Sequence, residues 1–60
     1  MFIDFVILPS EFQDTTITFV AETTAAKARF DGAISIQVRK SAAPIVADQL
    51  EAEGFTVRTA

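Results

Sequence analysis

Along this 60-residue chain, apolar side chains alternate with polar ones in some stretches and recur at helical spacing in others. The first apolar stretch, FIDFVIL at residues 2–8, is rich in β-branched and aromatic residues and stops at Pro9, which predicts a strand. Residues 9–14 read as a polar connection with Phe12 folded beneath it. Residues 15–21, TTITFVA, then alternate cleanly, with Ile17, Phe19 and Ala21 on one face and Thr16, Thr18 and Val20 on the other. The next run, ETTAAKARF, consists largely of good helix formers, with Thr23 or Thr24 as N-cap and Ala26 and Phe30 on one face. Asp31-Gly32 ends it, Gly32 being suited to a left-handed position.

The alternation returns in AISIQVR, with Ile34, Ile36 and Val38 inward and Ser35, Gln37 and Arg39 outward. Ser41 is the expected cap of a second helix, with Pro44 in its first turn, where a missing N–H costs nothing. Ala43, Val46, Ala47 and Leu50 share one helical face, and Asp48 and Glu51 point away from it. Gly54 closes this helix and FTVRT follows as a last strand. The order β-β-α-β-α-β predicts an α+β fold in one domain spanning residues 1–60: two layers, with both helices on one face of a mixed four-stranded sheet. The expected core holds Ile17, Phe19, Phe30, Ile34, Ile36, Val38, Val46, Leu50, Phe55 and Val57, plus one apolar set of the first strand.

That first strand does not fit a sheet covered on one side only. If Ile3, Phe5 and Ile7 face the helices, then Phe2, Val6 and Leu8 face outward beside Asp4. Either Phe12 and its loop cover part of the outward set, or a few exposed apolar side chains are simply tolerated, or a partner covers it, through the face or along a free strand edge. A carboxylate among such apolar neighbours needs a donor or a cation, and Arg39 or Arg58 on neighbouring strands could supply one.

Composition narrows the chemistry. The chain has no cysteine, histidine, tyrosine or tryptophan. Thiolate metal sites and disulfides are therefore excluded, and so is any His- or Cys-based catalytic arrangement. Ser41 beside Lys40 reads as a helix cap, and Asp48 with Glu51 as a solvated helix face. No catalytic residue, metal ligand or cofactor site is assigned. Eight carboxylates against five basic residues give a net charge of -3, which argues against direct nucleic-acid binding. The opening apolar run is too short to span a membrane and lacks the positive start of a signal peptide, so the expected location is the cytoplasm.

The runs TFVAETTAAKARFDGAISIQV and VADQLEAEGFTV resemble small orphan proteins of tailed phages and prophages, a group that includes many anti-CRISPR proteins. The resemblance is one of style, alternating strand, alanine-rich helix, strand, acidic helix, glycine and strand, and it carries over no functional residue. It implies a non-enzymatic inhibitor of a host defence complex, acting by steric blocking in the bacterial cytoplasm. The alternative is a homodimeric structural or regulatory module. The partner, a host protein or a second copy, is expected to meet Phe2, Asp4, Val6 and Leu8, with Glu22, Asp48 and Glu51 as the acidic surface.

Overall fold

The computed structural model describes residues 2–8 and 15–60. Six elements follow one another: β1 (Phe5–Leu8), β2 (Thr16–Ala21), α1 (Thr24–Arg29), β3 (Ser35–Arg39), α2 (Ala43–Ala52) and β4 (Val57–Thr59). The sheet order is β3-β2-β1-β4. β1 and β2 are antiparallel, as are β2 and β3, whereas β1 and β4 run parallel. The expected mixed sheet and element order are therefore present. β1 lies in the interior of the sheet, so strand-to-strand pairing along its edge is closed off; both of its edges are taken by β2 and β4. The edges of the sheet are β3 and the three-residue β4.

Strand alternation sends Phe5, Phe19 and Ala21 to the same side, and there they are almost completely buried. Ala26 of α1 and Ala43 and Leu50 of α2 join them in a single cluster, so both helices cover this one face. The Phe5 ring is the centre of it, 4.9 Å from the Phe30 ring and 5.2 Å from the Phe55 ring, the second contact edge-on. Each fully buried large side chain contributes about 1.5–3 kcal/mol. Ile7, Ile17, Ile36, Val38, Val46 and Val57 pack around the rim of the cluster. Ile34, expected in the core, is 66% exposed. It precedes β3 at the edge of the sheet, and two short helices do not reach that corner.

The helix ends account for the turns between the layers. Thr23 is the N-cap of α1, in extended geometry, and its Oγ1 accepts the Ala26 N–H at 3.1 Å. α1 stops where the Asp31 N–H donates to the Ala28 carbonyl and the Gly32 N–H to the Lys27 carbonyl. The first left-handed residue of that turn is Asp31, with φ 56°, ahead of Gly32. α2 closes the same way, Gly54 N–H to the Glu51 carbonyl and Phe55 N–H to the Leu50 carbonyl, but with a glycine at the left-handed position. At its other end the expected Ser41 cap is not formed. Ala42 is the N-cap residue, it has helical φ and ψ, and no side chain caps the helix. Ala42 and Ala43 N–H groups turn back onto the Arg39 and Lys40 carbonyls, so the chain enters α2 already coiled and Ser41 sits one residue too early.

Candidate functional site

The face of the sheet away from the helices is built by the other parity of the same strands. Val6 stands between Val20 of β2 and Arg58 of β4, and Val20 in turn faces Ser35 of β3. The next row is Leu8, Thr18 and Gln37, and the row beyond pairs Thr16 with Arg39. Val6 and Val20 stand opposite one another and are half-buried, and Leu8 is 41% exposed. Among the described residues, no element lies over this face. Phe12, the side chain expected to fold beneath its loop, lies outside the described residues.

Asp4 marks the opposite end of the face and is engaged by its own chain. Oδ1 accepts the Thr23 hydroxyl at 2.7 Å and Oδ2 accepts the Thr56 N–H at 3.0 Å. Its backbone is tied as firmly, the N–H to the Thr56 carbonyl and the C=O to the Glu22 N–H. The carboxylate thus fastens the start of β1 to the cap of α1 and to the approach of β4. The Thr56 and Thr23 hydrogen bonds hold its pKa below the ordinary 3.8. The anticipated pairing with Arg39 or Arg58 is therefore replaced by two neutral donors, which reach it from sequence positions 19 and 52 residues away.

The remaining expected contact residues are scattered. Phe2 is 84% exposed but precedes β1, so it does not share a strand face with Val6 and Leu8. Glu22 is exposed at the Asp4 end of the sheet, and Asp48 and Glu51 are exposed on α2, in the layer behind it. The acidic and apolar sets therefore do not form one surface. Among the described residues there is one ion pair, Arg29 with Glu53, a two-pronged contact at 2.6 and 3.0 Å joining the end of α1 to the end of α2. It raises the Arg29 pKa and lowers that of Glu53, but at such exposure it adds little to stability.

An open cleft of about 770 Å³ lies where β2 begins and β3 ends, lined among the described residues by Thr15, Thr16, Arg39, Lys40 and Ser41. The Lys40 N–H donates to the Thr15 carbonyl at 2.8 Å, which fixes the two strand ends that form its walls. This cleft was not legible as a unit, because its two halves lie more than twenty residues apart in the sequence. Only the β2–β3 register brings Thr16 and Arg39 opposite one another. Among the described residues, no cluster of three or more side chains suited to holding a metal ion occurs, and no helix is long and apolar enough to cross a membrane. No family model, curated protein or solved structure matches this chain.

Proposed function

We propose that this chain is a non-enzymatic protein-binding module that presents the open face of its sheet to a partner, in the manner of a phage-type inhibitor that blocks a host defence complex sterically. The observation that carries the reading is the apolar centre of that face, Val6, Val20 and Leu8, on the two interior strands. Interior strands of a sheet with one covered face normally alternate apolar and polar positions. β1 does not, and the excess lies where a partner could cover it. Support for the host-defence part of the reading comes from the resemblance of the helical and strand runs to phage orphan proteins, together with small size and acidic balance.

A standard interface takes about 800 Å² from each partner. On a molecule with 4274 Å² of surface that is close to a fifth, more than the three apolar side chains offer. A partner would therefore extend onto the flanking threonines and onto Arg39 and Arg58. The test is Leu8→Glu, which places a charge at the exposed centre while leaving the helix-side cluster untouched. The expected outcome is an unchanged melting temperature with loss of inhibition of the host complex. Sedimentation at increasing concentration separates the homodimeric alternative: a dimer dissolved by Leu8→Glu would assign the face to self-association. A monomeric variant with full inhibitory activity would remove the open face from the function.

A further inference from the structure

The outer edge of β3 is the longer of the two edges of the sheet, five residues against three in β4. Its backbone parity follows from two hydrogen bonds that flank the strand. The Ala21 N–H donates to the Ile34 carbonyl, and the Lys40 N–H donates to the Thr15 carbonyl. In an antiparallel ladder, opposed residues alternate between exchanging both bonds and exchanging none. Ile34, Ile36, Val38 and Lys40 therefore turn their backbone groups toward β2, and Ser35, Gln37 and Arg39 turn theirs away. At the ends of that outward row, the Ala33 N–H donates to the Phe30 carbonyl and the Arg39 carbonyl accepts the Ala42 N–H. What remains unpaired among the described residues is the Ala33 carbonyl, both groups of Ser35 and Gln37, and the Arg39 N–H. Apolar side chains accompany this edge. Ile36 and Val38 are half-buried on the helix side, and Ile34, of the same parity, lies exposed beyond the helices. Neither proline nor a bulge blunts the strand, and its one charge, Arg39, stands at its end.

We infer that β3 pairs antiparallel with β3 of a second copy of this chain, about a twofold axis at Ile36, which makes one sheet continuous through both copies. In this register Ser35 exchanges both backbone bonds with Gln37 of the second copy, and the Arg39 N–H donates to the Ala33 carbonyl of the second copy. By symmetry, every group left unpaired on either edge is then used. On the helix side Ile36 meets Ile36, and the exposed Ile34 meets Val38, at the close spacing of a non-hydrogen-bonded pair. Arg39 faces Ala33, so no like charges are set opposite one another. Moving the axis to Gln37 loses the match. The Ser35 N–H would then need the Arg39 carbonyl, already bound by Ala42, and Ile34 would face Lys40. The edge is its own complement in both backbone groups and apolar row, which is why the occupant is a second copy and not a foreign strand. The contact leaves Val6, Val20 and Leu8 uncovered. It therefore goes beyond the open-face reading and sets two such faces side by side.

One strand from each copy makes a small interface, so the association is weak and is sought in the full chain at concentrations up to about 1 mM. Sedimentation equilibrium should show dimer replacing monomer over that range. Nuclear magnetic resonance of the ¹⁵N-labelled chain should give an alternating signature. The amide protons of Ser35, Gln37 and Arg39 should move downfield as concentration rises, and those of Ile36 and Val38, already bonded to β2, should stay nearly still. Gln37→Pro removes an outward donor and spares the ladder to β2, so it should abolish the dimer with circular dichroism unchanged. Ile34→Lys, at a position exposed in the single copy, should weaken association about ten-fold and serves where the proline variant does not fold. A strictly monomeric chain over the whole range, or a dimer that survives both variants, would overturn the pairing. So would slow exchange of the Ser35, Gln37 and Arg39 amides in dilute monomer, because the edge would then be occupied within the chain. A dimer dissolved by Leu8→Glu but not by Gln37→Pro would also overturn it and would assign self-association to the open face. Dimerisation lost in Gln37→Pro and kept in Leu8→Glu supports the edge, whatever becomes of the open face.

Discussion

The two helices lie on the same face of the same sheet but are held in different ways. α1 is six residues long and buries one side chain, Ala26. Its ends do the holding: Thr23 caps the first turn and is itself bound by Asp4, and the last turn closes on the Ala28 and Lys27 carbonyls. α2 is ten residues long, buries Ala43 and Leu50, packs Val46 and Ala47 beside them, and begins with no side-chain cap. Neither is long enough to persist alone in water. The difference shows that a short helix with little face to bury can be fixed through its termini, and a longer one through its face with an end left undressed.

The largest expected effect breaks the second of these. Leu50→Ala removes a side chain that is 1% exposed and should cost about 2–5 kcal/mol, enough to unfold a domain of this size. Urea denaturation followed by circular dichroism measures it, and a variant as stable as the parent would mean that α2 is not held through its face. Thr23→Ala strikes α1 at its end and should cost about 1 kcal/mol for the lost cap, with amide exchange accelerating first at residues 24–29.

Acid probes the same knot from the other side. The Asp4 pKa is lower in the folded chain than in the unfolded one, so its contribution is complete above about pH 4, the ordinary unfolded value, and is lost as pH falls through the folded value. Glu53, also lowered, acts in the same direction. Melting temperature measured from pH 6 down to 2 should fall less steeply in Asp4→Asn than in the parent, and parallel curves would show that the carboxylate charge does not stabilise the fold.

Two smaller changes sharpen the contrast at the helix ends. Asp31→Gly relieves a non-glycine residue at φ 56° and removes a negative charge from a helix C-terminus. It should gain about 0.5 kcal/mol, read as a rise in melting temperature. Ser41→Ala should change stability by less than about 0.5 kcal/mol, because Ser41 caps nothing. A loss of about 1 kcal/mol would restore the cap that its position before Pro44 implies.

Strand faces are legible in the sequence because two-residue alternation reports directly which side chains share a side, and Ile17, Phe19, Ile36 and Val38 fall where it places them. Coverage is not legible in the same way. Ile34 has the parity of Ile36 yet lies beyond the helices, and parity says nothing of how far a second layer extends. Ser41 has the right chemistry for a cap, but capping depends on an extended backbone at that residue, and the turn after β3 is already helical. Asp4 invites a cation on charge grounds, and its actual donors come from the distant Thr23 and Thr56. Of the candidate surface, Val6 and Leu8 follow from alternation, whereas the cleft at Arg39 and Lys40 depends on strand register.

The parallel joint between β1 and β4 is also the more distant of the two pairings of β1 along the chain. Phe5 meets Ala21 across a separation of 16 residues, and Val57 across one of 52. Closing the longer loop costs about 1 kcal/mol more in chain entropy, at about 0.6 kcal/mol per doubling of length. The hairpin of β1 and β2 can form early, within microseconds. The last strand pairs with the other side of β1 across the longer separation. Any chain in which β4 is undocked leaves β1 with an open edge, and that strand is the most apolar segment it owns. Stickiness during folding would thus reside in the strand that the finished sheet hides in its middle.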